Sequence, residues 1–129
     1  MPTNEMLIFA ASIALAMILA WAIGYGARIE TFKFLSSLPA SYTVTANGVP
    51  ISYPSALLTA IQTAAPVVGH HSHPTSTIHV RVEANGQTMK FNLGRDSQDP
   101  HEYWVFYPKY PVSSMNEIGR ITTDALDGF

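Results

Sequence analysis

Hydrophobic positions in this chain fall into two regimes: one unbroken run near the start, then segments in which they alternate with polar residues. The run covers residues 6–27, MLIFAASIALAMILAWAIGYGA, without a charge, and Ser12 is its only hydroxyl before Tyr25. As a helix its apolar core, residues 6–23, is about 27 Å long, and the whole uncharged stretch about 33 Å, enough to cross a hydrocarbon layer of about 30 Å. Its Leu, Ile and Phe residues each favour insertion by about 0.3–0.6 kcal/mol, and Trp21 and Tyr25 fall where interfacial aromatics sit. The rival expectation is a cleaved signal peptide, with Ala20-Trp21-Ala22 as an A-x-A-like site. Residues 1–5 have no Lys or Arg to form the basic region such a peptide uses.

Every fourth residue of the run is small: Ser12, Ala16, Ala20 and Gly24. Small side chains at that spacing let a second helix approach closely, so these four are candidate helix-packing positions within a bilayer. Residues 28–38 extend the helix beyond the run until Pro39 stops it.

Period-two patterning then takes over. Residues 42–53 read as a hairpin about Asn47-Gly48, with Val44 facing Ile51 and Tyr42 facing Tyr53 on one face. Pro50 lacks a ladder donor and places its strand at an edge. Residues 54–65 read as a short helix with Leu57, Leu58 and Ile61 as its apolar stripe. Ser52 or Ser55 is its expected cap, and Ala56, Ala60 and Ala64 allow close packing on a sheet. Residues 77–83 and 88–94 alternate cleanly around Asn85-Gly86. A two-residue turn there pairs Val82 with Met89, Val80 with Phe91 and Ile78 with Leu93, all on one face. Residues 102–107, EYWVFY, are apolar on both faces and read as a central strand. A further short strand is expected within residues 116–123, followed by a tail over 124–129.

The expected architecture is α+β: a transmembrane anchor over 1–27, a juxtamembrane helix or linker over 28–40, and a domain over 41–129. That domain holds an antiparallel sheet of about five strands, two Asn-Gly hairpins and one packed helix. The roughly 100 residues after the apolar run suffice for one such domain.

Charge and composition remove some functions. A net charge of −2 offers no basic stripe for nucleic acid. The absence of cysteine excludes disulfides, thiolate metal sites and a cysteine nucleophile. All seven basic residues follow the apolar run, which favours a cytoplasmic domain. Only Arg28 and Lys33 lie close enough to count, so a periplasmic or extracellular domain stays open.

The hairpin register gathers candidate chemistry at one end of the sheet. His70, His71 and His73 precede one strand there, Arg95 and Asp96 end its partner, and His101 and Glu102 begin the next. Imidazole and carboxylate suit a divalent metal, so His70, His71 and His73 are candidate ligands; no other cofactor is expected. Ser72 or Ser97 lacks the elbow motif of a positioned nucleophile, and residues 96–102 lack calcium-loop spacing. Beside these groups lie Tyr103, Trp104 and Tyr110, aromatic types favoured at binding hot spots. The expected function is therefore a membrane-anchored, non-catalytic module that binds a protein partner through Arg95, Asp96, His101, Tyr103, Trp104 and Tyr110. An inhibitor, an immunity-type protein or an accessory subunit of a membrane complex would fit. The alternatives are a metal-dependent enzyme or metal-handling protein using the histidine end, and a structural subunit acting through its transmembrane helix.

Overall fold

A computed structural model describes residues 3–65, 72–107 and 117–129. It contains a long N-terminal helix, α1 (Asn4–Ser36), a short helix, α2 (Pro54–Gln62), and six strands: β1 (Thr43–Ala46), β2 (Val49–Pro50), β3 (Pro74–Ala84), β4 (Gln87–Asp96), β5 (Glu102–Phe106) and β6 (Gly119–Thr122). The strands form one antiparallel sheet in the order β2-β1-β3-β4-β5-β6. The α+β architecture with two Asn-Gly hairpins is as the pattern requires, with a sixth strand added.

The central hairpin has the expected register: Val82 faces Met89, Val80 faces Phe91 and Ile78 faces Leu93. Its turn fixes that register because Asn85 and Gly86 both take positive φ, 51° and 75°, which matches the twist of the flanking strands. Asn47 and Gly48 repeat the solution at 49° and 81°. The first hairpin is shorter than its sequence pattern. Its ladder stops at Thr45–Pro50, with Ile51 N–H reaching Val44 O at 3.3 Å. Tyr53 does not face Tyr42 inside; it is 71% exposed and immediately precedes α2. Strand β2 is the sheet edge, as Pro50 demands.

One face of the sheet carries Val44, Ala46, Ile78, Val80, Val82, Phe91, Leu93, Tyr103, Val105 and Ile121 into a common core. Leu57, Leu58 and Ile61 of α2 enter the same core, as their helical spacing predicts. Neither Ser52 nor Ser55 caps α2: Tyr53 occupies the cap position with no side-chain hydrogen bond, and Pro54 supplies the pre-set φ of the first turn. Ala56 faces solvent, and Ala64 is the alanine that makes the close approach. A Cβ on Gly119 would lie 2.9 Å from Ala65 O and 3.0 Å from the Ala64 Cβ, so β6 tolerates only glycine there without a shift.

Two features depart from the sequence pattern. First, the end of α1 packs onto the domain: the helix runs on past residue 27 to Ser36, as the segment before Pro39 allows, and forms one rod about 50 Å long. Residues 3–26 are exposed throughout, whereas Ala27, Thr31 and Leu35 are buried as a stripe at four-residue spacing. Second, residues 124–129 are not a free tail. Leu126 is fully buried, and Phe129 offers its carbonyl oxygen to Arg95.

Candidate functional site

The end of the sheet marked by its charged and imidazole residues is built around Asp96, the last residue of β4. Asp96 is 5% exposed, and its carboxylate is hydrogen-bonded from every side. Oδ1 accepts from Trp104 Nε1 at 2.9 Å; Oδ2 accepts from the backbone N–H groups of Gln98 and Asp99 at 2.9 and 3.0 Å. The Ser72 hydroxyl donates as well. Burial alone would raise the pKa of this carboxyl, but the four donors outweigh it and hold the group at about 2, below its usual 3.8. Asp96 thus stays charged and ties three separated stretches of chain to one point.

Trp104 carries the arrangement across β5. The Arg120 guanidinium lies 4.0 Å from the centre of its ring, and Phe106 stacks beside it at 6.5 Å. Arg120 also donates from Nε and Nη2 to the two oxygens of Glu117, both at 3.3 Å. Its Nη1 stands 3.9 Å from Glu102 Oε1, with no hydrogen-bond partner. Burial raises the Glu117 carboxyl pKa, as do the charges of Glu102 and Asp96, against the lowering effect of Arg120. The result is a buried polar layer beneath the second face of the sheet.

Each expected partner-binding residue can now be placed. Tyr103 and Trp104 are 0% and 1% exposed, so they are core side chains and not surface anchors. The physical reason is position: β5 lies between β4 and β6, and both of its faces are covered. Asp96 is buried with Trp104. Arg95 turns inward, donating from Nη2 to Tyr103 Oη at 3.2 Å and Phe129 O at 2.8 Å, with its guanidinium 5.6 Å from the Tyr103 ring centre. His101 is exposed and pairs through Nδ1 with Asp127 Oδ1 at 3.1 Å. Tyr110 lies outside the described residues, as do His70 and His71.

Of the candidate metal ligands, only His73 is described. It is exposed, its N–H bonds Ser97 Oγ at 3.1 Å, and its carbonyl accepts from Ser97 N–H at 2.9 Å. Among the described residues no three His, Asp or Glu side chains converge as metal donors. Ser12, Ala16, Ala20 and Gly24 all lie on the exposed part of α1, and an added Cβ at Gly24 would meet nothing within 4 Å. Ser12 returns its hydroxyl to Ile8 O at 2.8 Å.

The outward face of β1, β3 and β4 is a polar surface that the candidate site residues do not include. The register places Thr77, His79, Arg81 and Glu83 there beside Thr88, Lys90 and Asn92, all but the half-buried Asn92 exposed. His79 Nδ1 meets Asn92 Oδ1 at 2.8 Å, its backbone N–H bonds Asn47 Oδ1 at 2.9 Å, and Arg81 pairs with Glu83. A shallow groove of about 540 Å³ crosses this face between Thr45, His79, Arg81, Lys90 and Asn92. Strict alternation in 77–83 and 88–94 was the available signal, since it leaves one polar side chain outward for every apolar one inward.

No protein-family model, curated protein or solved structure matches the chain.

Proposed function

We propose that this chain is a single-span, membrane-tethered binding module that recognises a protein partner without catalysis, as an inhibitor, immunity-type protein or accessory subunit would. One observation carries the reading: residues 6–26 of α1 are uncharged, almost wholly apolar and exposed, while Ala27, Thr31 and Leu35 of the same helix are buried against the domain. A helix so apolar gains by insertion in a bilayer, and its built-in end holds the domain at the surface in one orientation. The stacked pair Trp21 and Tyr25, with ring centres 5.2 Å apart, marks the interfacial level.

The polar face carrying His79, Arg81, Lys90 and Asn92 supports a protein partner. It is exposed and of mixed charge, the kind of surface on which complementary charges select a partner. Purification in detergent after photo-crosslinking from positions 79 and 90 tests this. A defined cross-linked protein lost in R81E and K90E variants is the expected result. Cross-links that survive those changes but vanish when residues 6–23 are replaced by an unrelated apolar helix would assign recognition to α1 instead.

A further inference from the structure

Resting on the membrane-tethered reading above, we infer that the sheet end formed by His73, residues 97–101 and Asp124 lies against the lipid headgroup layer, and that the Asn85-Gly86 turn points away from it.

The direction follows from two contacts along α1. Arg28 Nη2 donates to Ala64 O at 2.8 Å. The next residue, Ala65, bridges Arg120, and the register continues from Arg120 to Trp104, Gly94 and Thr77. Arg28 is therefore level with the Gly94 row of the sheet. Further along the helix, Lys33, Phe34 and Ser37 share a groove with Gln87, Met89 and Lys90. Moving from Arg28 to Ser37 thus carries the chain from the Gly94 row toward the Asn85-Gly86 turn. The exposed apolar part of α1 runs the opposite way, toward the end of the sheet where residues 97–101 lie.

Lengths place that end at the bilayer surface. From Ile23, where the apolar core of the run ends, to Arg28 is about 7 Å of helix. From the Gly94 row to Ser97 is about 10 Å of strand. The loop after β4 consequently reaches back to about the level at which α1 leaves the hydrocarbon, at the inner boundary of a headgroup layer about 5–7 Å thick on each side.

The chemistry of the end suits that layer. His73, Ser97, Gln98, Asp99, His101, Asp124 and Asp127 are exposed there. The exposed large hydrophobic residues of the described chain lie elsewhere, on α1 and at Val49 and Tyr53. A polar, net acidic rim can hydrogen-bond headgroups and face their ammonium groups without entering the acyl region. The Asp96 hydrogen bonds to Gln98 and Asp99 hold the rim in shape.

The chain has no cysteine, so single-cysteine labelling tests the orientation. Full-length Q98C and D124C, and separately Q87C by the distal turn, would carry a small fluorophore. Each would be reconstituted in phosphatidylcholine vesicles containing a headgroup spin-labelled lipid as quencher, with thermal unfolding checking each fold. At least about threefold stronger quenching at positions 98 and 124 than at 87 is the expected result. Equal quenching, or stronger quenching at 87, would overturn the orientation. Vesicle flotation separates the two claims: protein that fails to float with lipid would refute the tether itself, and the orientation with it.

Discussion

Arg28 and Ala64 join the long helix to the domain: the guanidinium donates to the carbonyl oxygen just beyond α2 at 2.8 Å. The same guanidinium lies 5.4 Å from the centre of the Phe32 ring, so its charge is held along its own helix as well. Behind this contact Ala27, Thr31 and Leu35 are buried against the domain. Helix and domain are therefore one packed body, not an anchor with an independent passenger.

That packing gives a first expectation. Leu35→Ala should destabilise the domain by about 2–4 kcal/mol, the usual cost of emptying a buried leucine site. A fragment beginning at Ser41 loses the whole stripe and should aggregate or melt well below the full chain in detergent. Chemical denaturation of both proteins checks this, and a cooperative, equally stable fragment would contradict it.

Thr31 offers a change of opposite sign. Its Oγ1 is buried without a hydrogen-bond partner. Thr31→Val keeps the shape and removes the unpaired hydroxyl, so it should stabilise the fold by about 1 kcal/mol. A shift in urea midpoint at constant slope would measure it.

The sheet was legible from sequence because Asn47-Gly48 and Asn85-Gly86 fix turn geometry, and alternation of Ile78, Val80 and Val82 against Phe91 and Leu93 fixes the face. The docking of α1 was not. Its contact stripe is one alanine, one threonine and one leucine interleaved with Arg28, Glu30 and Lys33, which gives no apolar periodicity to read. The burial of Tyr103 and Trp104 followed from the two apolar faces of β5. The charged residues at its end nevertheless resemble the polar rim of a binding surface, which is why the pair reads as surface anchors in sequence. Asp96 looked like a loop charge because its partners, the Trp104 indole and two backbone N–H groups, leave no pattern in sequence. Leu126 was equally hidden, because Ala125, Leu126 and Phe129 fall in a segment too short to show a period.

Asp96 sets the acid limb of stability. Its folded pKa of about 2 lies below the usual 3.8, so its contribution is present above pH 4 and lost as pH falls toward 2. That difference corresponds to about 2 kcal/mol. Glu117 acts in the other direction: its raised pKa favours folding below its unfolded value and loses that contribution as pH rises through the folded one. Asp96→Asn should flatten the fall in stability between pH 4 and 2, as read from denaturation at a series of pH values. Trp104→Phe should raise the Asp96 pKa by removing one donor.

Arg120 and Glu117 should be strongly non-additive. Removing the guanidinium alone, in Arg120→Met, leaves a buried carboxylate without its bidentate partner and should cost about 3–5 kcal/mol. Adding Glu117→Gln should recover a large part of that loss. A double-mutant cycle by thermal unfolding gives the coupling, and additivity would mean that the pair is not formed.

The coupling of α1 to the domain is tested most directly by a distance across the junction. Spin labels on M17C and T88C, in full-length protein reconstituted in lipid nanodiscs, straddle it with about 25 Å of helix between residue 17 and the docked end of α1. The expected result of pulsed electron–electron resonance is one narrow distance distribution, unchanged between detergent and lipid. A broad distribution, as a flexible tether between residues 28 and 40 would give, would contradict a helix built into the domain.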